Sequence, residues 1–117
     1  MAPETRVPRP GKAAEYAIEF ATREAEKGWR DLVATARNAA ADAWDFLTKT
    51  PLLQGRDCYP LMGDLAVVRV GAKPYQRWQY KPTRGGRIWY AVATGDMTVW
   101  VERVSTGHPN ETVKRHR

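Results

Sequence analysis

Residues 77–103 read RWQYKPTRGGRIWYAVATGDMTVWVER, and this stretch decides the fold. Three short runs rich in aromatic and β-branched residues are separated by TRGG at residues 83–86 and by TGD at residues 94–96. Glycine supplies the positive φ that tight hairpin turns need, and aromatic and β-branched residues are typical of strands. The stretch therefore predicts three successive strands joined by two tight turns.

Side chains alternate between the two faces of a strand, so the same stretch predicts which residues share a face. Ile88, Tyr90 and Val92 form an apolar row, whereas Arg87 and Trp89 point the other way. The preceding strand also places its polar side chains together: Arg77, Gln79 and Lys81. We expect one face of the sheet to pack on a core and the other to offer cations and a tryptophan to a polyanion.

The positive charge of the chain lies in its C-terminal half. Residues 1–64 hold nine Lys or Arg and ten Asp or Glu, a net charge of −1. Residues 65–117 hold ten Lys or Arg and three Asp or Glu, a net charge of +7, which gives +6 overall. This asymmetry favours nucleic acid as a partner, and a solvated basic surface is the alternative.

Length and composition set the class of protein. A chain of 117 residues with 43% apolar and 27% charged residues is expected to form one globular domain. No apolar run approaches the roughly 18–20 residues of a membrane span, and the N-terminus lacks the apolar core of a secretory signal. The single cysteine, Cys58, excludes an internal disulfide and is compatible with the reducing cytoplasm.

The N-terminal half predicts a strand followed by helix. Residues 15–20 (EYAIEF) alternate polar and apolar side chains, and Thr22 is a plausible N-cap for the segment that follows. The spacing permits one long helix or two helices bent near residues 35–38, and Thr50-Pro51 ends it. Trp29, Trp44 and Phe46 are interpreted as core or helix-packing aromatics. The apolar positions of the helical face are Ala25, Trp29, Leu32, Val33, Ala36, Ala40, Ala43 and Leu47.

The middle of the chain predicts one more strand. Residues 52–64 contain two glycines and a proline and are interpreted as a connecting loop. Residues 65–70 (LAVVRV) predict a strand, and residues 71–74 a turn towards the strand at residue 77. The fold class is therefore α+β, with helices covering one face of a sheet.

Several kinds of site are excluded by the residues present. Ser105 is the only serine, and His108, His116 and Cys58 lack the spacing of zinc ligands. No carboxylate cluster suggests a magnesium-dependent nuclease, and Gly85-Gly86 is interpreted as a hairpin turn because no helix follows it. We therefore expect no metal and no cofactor.

The remaining polar residues suit the cleavage of RNA without a metal. That reaction needs a group that deprotonates the 2′-hydroxyl, a cation near the phosphate and a proton donor for the 5′-oxygen. An arginine fork binds phosphate oxygens, a histidine exchanges protons near neutral pH, and an aromatic ring stacks on a base. The chain offers several residues for these tasks: Arg77, Gln79, Lys81, Arg87, Arg103 and His108, with Tyr90 and Trp89 nearby.

The order of these elements resembles the RelE/ParE superfamily of bacterial toxin–antitoxin toxins. The resemblance covers about residues 15–113 and rests on EYAIEFATREAEKGWRDL, RWQYKPTRGGRIWYAV and TVWVERVSTGHPNE. It implies an N-terminal strand and a helical hairpin packed on one face of a curved antiparallel sheet of four to five strands. The implied organisation is a flexible arm at residues 1–13, a RelE-like domain at residues 14–113 and a basic tail at residues 114–117.

The resemblance also implies an activity and a set of site residues. RelE-type members are metal-independent mRNA endonucleases that act on the ribosome, inhibit translation and are neutralised by an antitoxin protein. The implied catalytic residues are Arg87, His108, Arg77 and Lys81. The implied substrate-binding residues are Gln79, Trp89, Arg103, Lys73 and Arg84. Two alternatives stay open: a ParE-like poison of DNA gyrase, and a non-catalytic module that binds RNA or a host protein.

Overall fold

The computed structural model describes residues 7–107, which form two helices, seven strands and two short 3-10 helices. The helices are α1 (Arg23–Thr35) and α2 (Arg37–Lys49), and the 3-10 helices are Gly63–Leu65 and Thr94–Asp96. The strands are β1 (Ala17–Phe20), β2 (Cys58–Pro60), β3 (Val67–Val70), β4 (Lys73–Gln76), β5 (Trp78–Tyr80), β6 (Arg87–Ala93) and β7 (Thr98–Ser105).

Five strands form one sheet in the order β1-β7-β6-β5-β2. The hairpins β5–β6 and β6–β7 pair antiparallel, as residues 77–103 predicted. The α+β class is confirmed, and the sheet is mixed, because β1 does not share the antiparallel pairing of the other strands. That strand pairs in parallel with β7, so the first and last strands of the described chain are neighbours.

The middle of the chain holds two strands that the sequence pattern did not predict. β2 lies within the expected loop 52–64 and pairs with β5 at the edge of the sheet. The expected turn at residues 71–74 is shorter, because the chain reverses at Gly71-Ala72 and β4 begins at Lys73. β3 and β4 form a separate two-stranded sheet rather than extending the main one. Gly71 has φ of +62°, a conformation that glycine adopts without strain.

The helical segment is two helices, not one. Thr22 caps α1, since its Oγ1 accepts a hydrogen bond of 3.0 Å from the Ala25 amide. Ala36 leaves the helical region, with φ of −149° and ψ of 66°, and so breaks the segment within the predicted bend. α2 ends at Lys49, immediately before Thr50-Pro51. The N-cap and both boundaries therefore follow the sequence signals.

The core lies between the two helices and one face of the five-stranded sheet. Its buried members come from both layers: Ala25, Leu32, Ala40, Ala43, Leu47, Cys58, Ile88, Tyr90, Val99, Val101 and Val104. Val92 packs against this cluster, which confirms the apolar row of β6. Trp29 and Phe46 also pack on the core, whereas Trp44 lies outside this cluster and is 37% exposed.

Helix α1 lies directly against the backbone of β7. A Cβ atom placed on Gly28 would lie 2.0 Å from the Val104 carbonyl oxygen, so only a residue without a side chain fits this contact. Thr22 adds a second link, because its hydroxyl donates a 2.7 Å hydrogen bond to the Glu102 carbonyl oxygen. α1 thus fixes the second half of β7, which carries part of the polar face described below.

The start of the described chain is held to the domain by Arg9. Its guanidinium donates hydrogen bonds of 3.0 and 2.9 Å to the two carboxylate oxygens of Glu15 and lies 5.9 Å from the centre of the Trp44 ring. The Arg9 hydrogen bonds, followed by the Lys12 amide, lower the pKa of Glu15 to about 2. Among residues 7–107, no helix combines the length and apolarity required to cross a membrane.

Candidate nucleic-acid interface

The face of the sheet opposite the core carries the predicted polar residues, and we call it the outer face. Arg87 and Trp89 of β6 point to this face because the intervening residues, Ile88 and Tyr90, are fully buried in the core. Towards the other end of β6, Ala91 and Ala93 are buried, and β4 packs against this strand. The open part of the outer face is therefore the end nearest Arg87.

A β-bulge in β7 places two charged residues side by side on the outer face. Trp89 pairs with Arg103 and Tyr90 with Val101, which leaves Glu102 as the extra residue. Val101 and its downstream neighbour Val104 both remain in the core, so Glu102 and Arg103 both face outwards. Regular alternation would have turned one of them towards the core.

Glu102 binds Arg77 through two hydrogen bonds. Arg77 Nε and Nη2 each donate to a different carboxylate oxygen at 2.8 Å, and Nη1 donates to the Leu65 carbonyl oxygen at 3.0 Å. The Arg77 and Glu102 side chains are only 12% and 22% exposed. Such a bidentate pair has a defined geometry, and it uses all three guanidinium nitrogens of Arg77.

Trp89 stands at the centre of the outer face. The Arg77 guanidinium carbon lies 4.9 Å from the centre of its ring and that of Arg103 lies 5.5 Å from it. Both distances are within the range of cation–π attraction. The indole Nε1 donates a 2.8 Å hydrogen bond to Gln79 Oε1, which fixes the orientation of the ring.

Gln79 links Trp89 to a second aromatic residue, Tyr59. Its Nε2 donates a 2.9 Å hydrogen bond to the Tyr59 hydroxyl, so its amide is bound at both ends. The Lys81 ammonium lies 5.2 Å from the centre of the Tyr59 ring. Gln79 therefore positions two rings instead of pointing a free amide to a ligand.

Arg87 lies at the edge of the outer face, next to the turn that precedes β6. Its Nη1 donates to the carbonyl oxygens of Gly86 at 2.6 Å and Arg84 at 3.0 Å. Within residues 7–107, both side-chain hydrogen bonds of Arg87 come from Nη1, and Nε and Nη2 make none. Thr83 stabilises the turn, because its Oγ1 accepts a 2.8 Å hydrogen bond from the Gly86 amide.

The structure brings most of the predicted site residues together. Six of them lie on or beside the outer face: Arg77, Gln79, Lys81, Arg87, Trp89 and Arg103. Arg84 is exposed in the turn beside Arg87. Lys73 is separate, since it begins β4 in the two-stranded sheet. His108 lies outside the described residues.

Two residues of this face were missed in the sequence. Tyr59 belongs to a three-residue strand that contains a proline, and so short a run shows no alternation. Glu102 does not stand out in the sequence, because nothing there marks the bulge that directs it towards Arg77. The polar groups of the outer face are therefore more fully paired than their sequence positions indicated.

Beside this face, a groove of about 520 Å³ runs between β7 and the start of α1. Trp89, Glu102 and Arg103 line one side, and Glu24, Lys27 and Asp31 line the other. Among residues 7–107, no group of three His, Cys, Asp or Glu is placed to hold a metal ion.

The buried thiol lies on the core side of the sheet, away from the outer face. Cys58 Sγ is 3.0 Å from the Tyr90 hydroxyl, which donates a 2.6 Å hydrogen bond to the Pro51 carbonyl oxygen. Burial raises the pKa of Cys58, and burial together with the Cys58 contact raises that of Tyr90. The thiol therefore stays protonated, the form in which a cysteine is a poor nucleophile.

Comparison with solved structures relates this architecture to known folds. A chain of the archaeal RelE–RelB complex from Pyrococcus horikoshii matches with a TM-score of 0.55 and 13% identity, covering 80% of this chain and 97% of that one. The YoeB dimer from Staphylococcus aureus gives 0.56 and 11%, covering 80% and 98%. The toxin–antitoxin complex RelBE2 from Mycobacterium tuberculosis gives 0.50 and 22%, covering 78% and 96%.

The chain has the RelE-like fold. This confirms the fold that the sequence resemblance implied, including the helical hairpin on one face of the sheet. No protein-family model matches the sequence, and no curated protein matches it. The identities to the solved structures are low, so the RelE-like fold is what the comparisons establish.

Proposed function

We propose that this protein is the toxin of a toxin–antitoxin module and acts in the cytoplasm as a metal-independent mRNA endonuclease. The observation that carries the proposal is Trp89 on the outer face, flanked by the guanidinium groups of Arg77 and Arg103 and close to Arg87. Aromatic rings among cations suit single-stranded RNA, because the rings stack on bases and the cations bind phosphates. The RelE-like fold supports the proposal, and it supports an antitoxin protein and the ribosome as partners.

Cleavage would proceed by attack of a 2′-hydroxyl on the adjacent phosphorus. The new bond to the 2′-oxygen forms a cyclic phosphate while the bond to the 5′-oxygen breaks. One group takes the proton from the 2′-hydroxyl, another gives a proton to the leaving 5′-oxygen, and a cation stabilises the charge on the phosphate oxygens. No electron transfer or further reactant is required.

The contacts of each arginine indicate which of these tasks it performs. Arg87 binds the scissile phosphate, since only its Nη1 is used by the turn carbonyls among the described residues. Arg103 is exposed beside Trp89 and neutralises the neighbouring phosphate. Arg77, held by Glu102, acts as a fixed cation that orients the Trp89 ring. Lys81 and His108 are the proton-transfer residues in this scheme.

The test is induced expression in bacteria followed by mapping of new 5′ ends on cellular mRNA. We would compare the wild type with Arg87→Ala, with the Arg87→Ala/His108→Ala double variant and with Arg30→Ala. Arg30 is a matched control, because it is an exposed arginine of α1 whose described ion pair is with Glu26 on the same helix.

Cuts inside coding regions that persist in Arg30→Ala and vanish in the Arg87 variants would support the proposal. Arrest of growth with intact mRNA and damaged DNA would replace it with gyrase poisoning. Undiminished cutting by a folded Arg87→Ala variant would remove Arg87 from the site. Circular dichroism provides the check on folding.

A further inference from the structure

One row of side chains crosses the outer face at right angles to the strands. Tyr59 pairs with Gln79, Gln79 with Trp89, and Trp89 with Arg103, so four neighbouring strands contribute one directly opposed residue each. Hydrogen bonds of 2.9 and 2.8 Å join the first three, and the cation–π contact joins the last two. We call these four residues the transverse row.

We propose that the transverse row is a binding track for two bases of a single RNA strand, with one base on Tyr59 and one on Trp89. The inference rests on the proposed function for the choice of RNA. It adds a second base-binding site, Tyr59, and gives the path of the strand across β2, β5, β6 and β7. Gln79 acts in it as a positioning residue that holds both rings.

The two rings come from strands that are two positions apart in the sheet, and this separation selects an unstacked strand. Neighbouring strands are about 4.8 Å apart, so the backbones of Tyr59 and Trp89 are separated by roughly 10 Å. Consecutive bases of a stacked strand are only about 3.4 Å apart. Two bases therefore reach both rings only when they are unstacked and splayed, as in the loops and ends of RNA that proteins recognise.

The cations now lying near the rings are weak competitors for the bases. A cation near an exposed ring contributes roughly 2- to 5-fold in affinity, whereas a stacked base contributes roughly 5- to 150-fold. Lys81 and Arg103 hold long, flexible side chains over Tyr59 and Trp89, so incoming bases displace them. The displaced charges then lie beside the phosphates that accompany those bases. Arg77 stays in place because Glu102 holds it.

Charge complementarity supports the choice of a polyanion. The outer face carries four cations, Arg77, Lys81, Arg87 and Arg103, and the carboxylate of Glu102. The groove beside it adds Lys27, Glu24 and Asp31, so cations remain in excess among these described residues. Such an excess of cations attracts a phosphate backbone and repels a basic partner. The aromatic rings between the cations distinguish this face from a merely basic surface.

The test measures the binding of a short, fluorescently labelled single-stranded RNA whose 2′-hydroxyls are methylated, so that cleavage does not interfere. Tyr59→Leu removes the ring and is expected to weaken binding by at least about 5-fold. Tyr59→Phe keeps the ring, loses only the bond from Gln79 and is expected to bind within about 3-fold of wild type. Trp44→Leu removes an exposed aromatic of α2, outside the outer face, and is expected to bind like wild type.

Wild-type affinity in Tyr59→Leu, or equal binding of the same RNA annealed into a duplex, would overturn the binding track. Equal losses in Tyr59→Leu and Tyr59→Phe would also overturn it, because the ring itself would then contribute nothing. Thermal unfolding of each variant identifies losses that come from misfolding.

The outcome is separate from that of the cleavage experiment. Binding that depends on the Tyr59 ring in a protein that cuts no mRNA would support the track and refute the nuclease. Cutting of mRNA that is unaffected by Tyr59→Leu, in a protein that binds the RNA equally well without this ring, would refute the track and leave the nuclease standing.

Discussion

Replacing Gly28 by alanine tests whether close contact between α1 and β7 holds the two layers of the domain together. The added Cβ would lie 2.0 Å from the Val104 carbonyl oxygen, whereas ordinary Cβ contacts begin near 3.4 Å. The helix must therefore retreat by the difference, about 1.4 Å. The obstacle is backbone, which cannot rotate away as the end of a flexible side chain does.

The cost follows from the packing that this retreat opens. A buried leucine makes roughly 40–60 atomic contacts of about 0.1–0.2 kcal/mol each, and a gap of 0.5–1 Å forfeits at least a quarter of that attraction. Leu32, which is fully buried on α1, thus loses about 1–3 kcal/mol, and the neighbouring Ala25 and Trp29 raise the total to about 3–5 kcal/mol. The higher helix propensity of alanine raises the free energy of unfolding by about 1 kcal/mol and so offsets part of this loss. We expect a net loss of about 2–4 kcal/mol in the free energy of unfolding.

The assay is urea unfolding followed by tryptophan fluorescence and far-UV circular dichroism, with Gly55→Ala as the control. A Cβ on Gly55 has no atom within 4 Å and its φ is not positive, so this alanine should leave stability unchanged or raise it by about 0.4–1 kcal/mol. A Gly28→Ala protein whose unfolding free energy lies within about 1 kcal/mol of wild type would refute the contact between α1 and the β7 backbone.

Three further predictions concern single side chains. Glu102→Gln removes the carboxylate that holds Arg77, so Arg77 should become free to bind a phosphate and RNA binding should tighten. The slope of log K, the RNA association constant, against log salt concentration should steepen by about 0.7, and an unchanged slope in binding titrations would contradict this. Tyr90→Phe removes a buried hydroxyl that donates to a carbonyl, and should lower the urea-derived unfolding free energy by about 1–3 kcal/mol; wild-type stability would contradict it. The carboxyl of Glu15 should titrate near pH 2 by NMR and move towards its ordinary 4.5 in Arg9→Ala. Because that pKa is lowered by folding, the stabilising contribution of the pair is present above about pH 4.5 and is lost as the pH falls through about 2.

Local signals predicted the elements that depend on neighbouring residues. Thr22 caps α1, Ala36 lies in the predicted bend, and Thr50-Pro51 follows the end of α2. The turns at residues 83–86 and 94–96 both connect antiparallel strands, as predicted. The expectation that their glycines supply positive φ is wrong, because Gly85, Gly86 and Gly95 do not have positive φ and the second turn ends with Met97 at φ of 50°. Each of these features is set by caps, turns or alternation within a few residues, and such preferences are visible in one sequence.

Features that depend on distant residues were not visible in the sequence. β1 lies beside β7 because of the packing of the whole domain, and the sequence of Ala17–Phe20 does not indicate with which strand β1 pairs. β2 is too short to show a period, and its Pro60 is tolerated because the strand is at an edge. The pairing of Arg77 with Glu102 depends on a bulge, which interrupts the alternation used to assign faces.

The pairing of β1 with β7 has a consequence for when the protein can fold during synthesis. Ala17 pairs with Thr98, and the Thr22 hydroxyl binds a carbonyl 80 residues further along the chain. Contacts so far apart in sequence form late, since a long loop must close before they stabilise the chain. While the ribosome is still making the middle of the protein, β1 and α1 lack the strand on which they pack. Any activity of the outer face therefore begins only after β7 has left the ribosome, when nearly the whole described chain has been made.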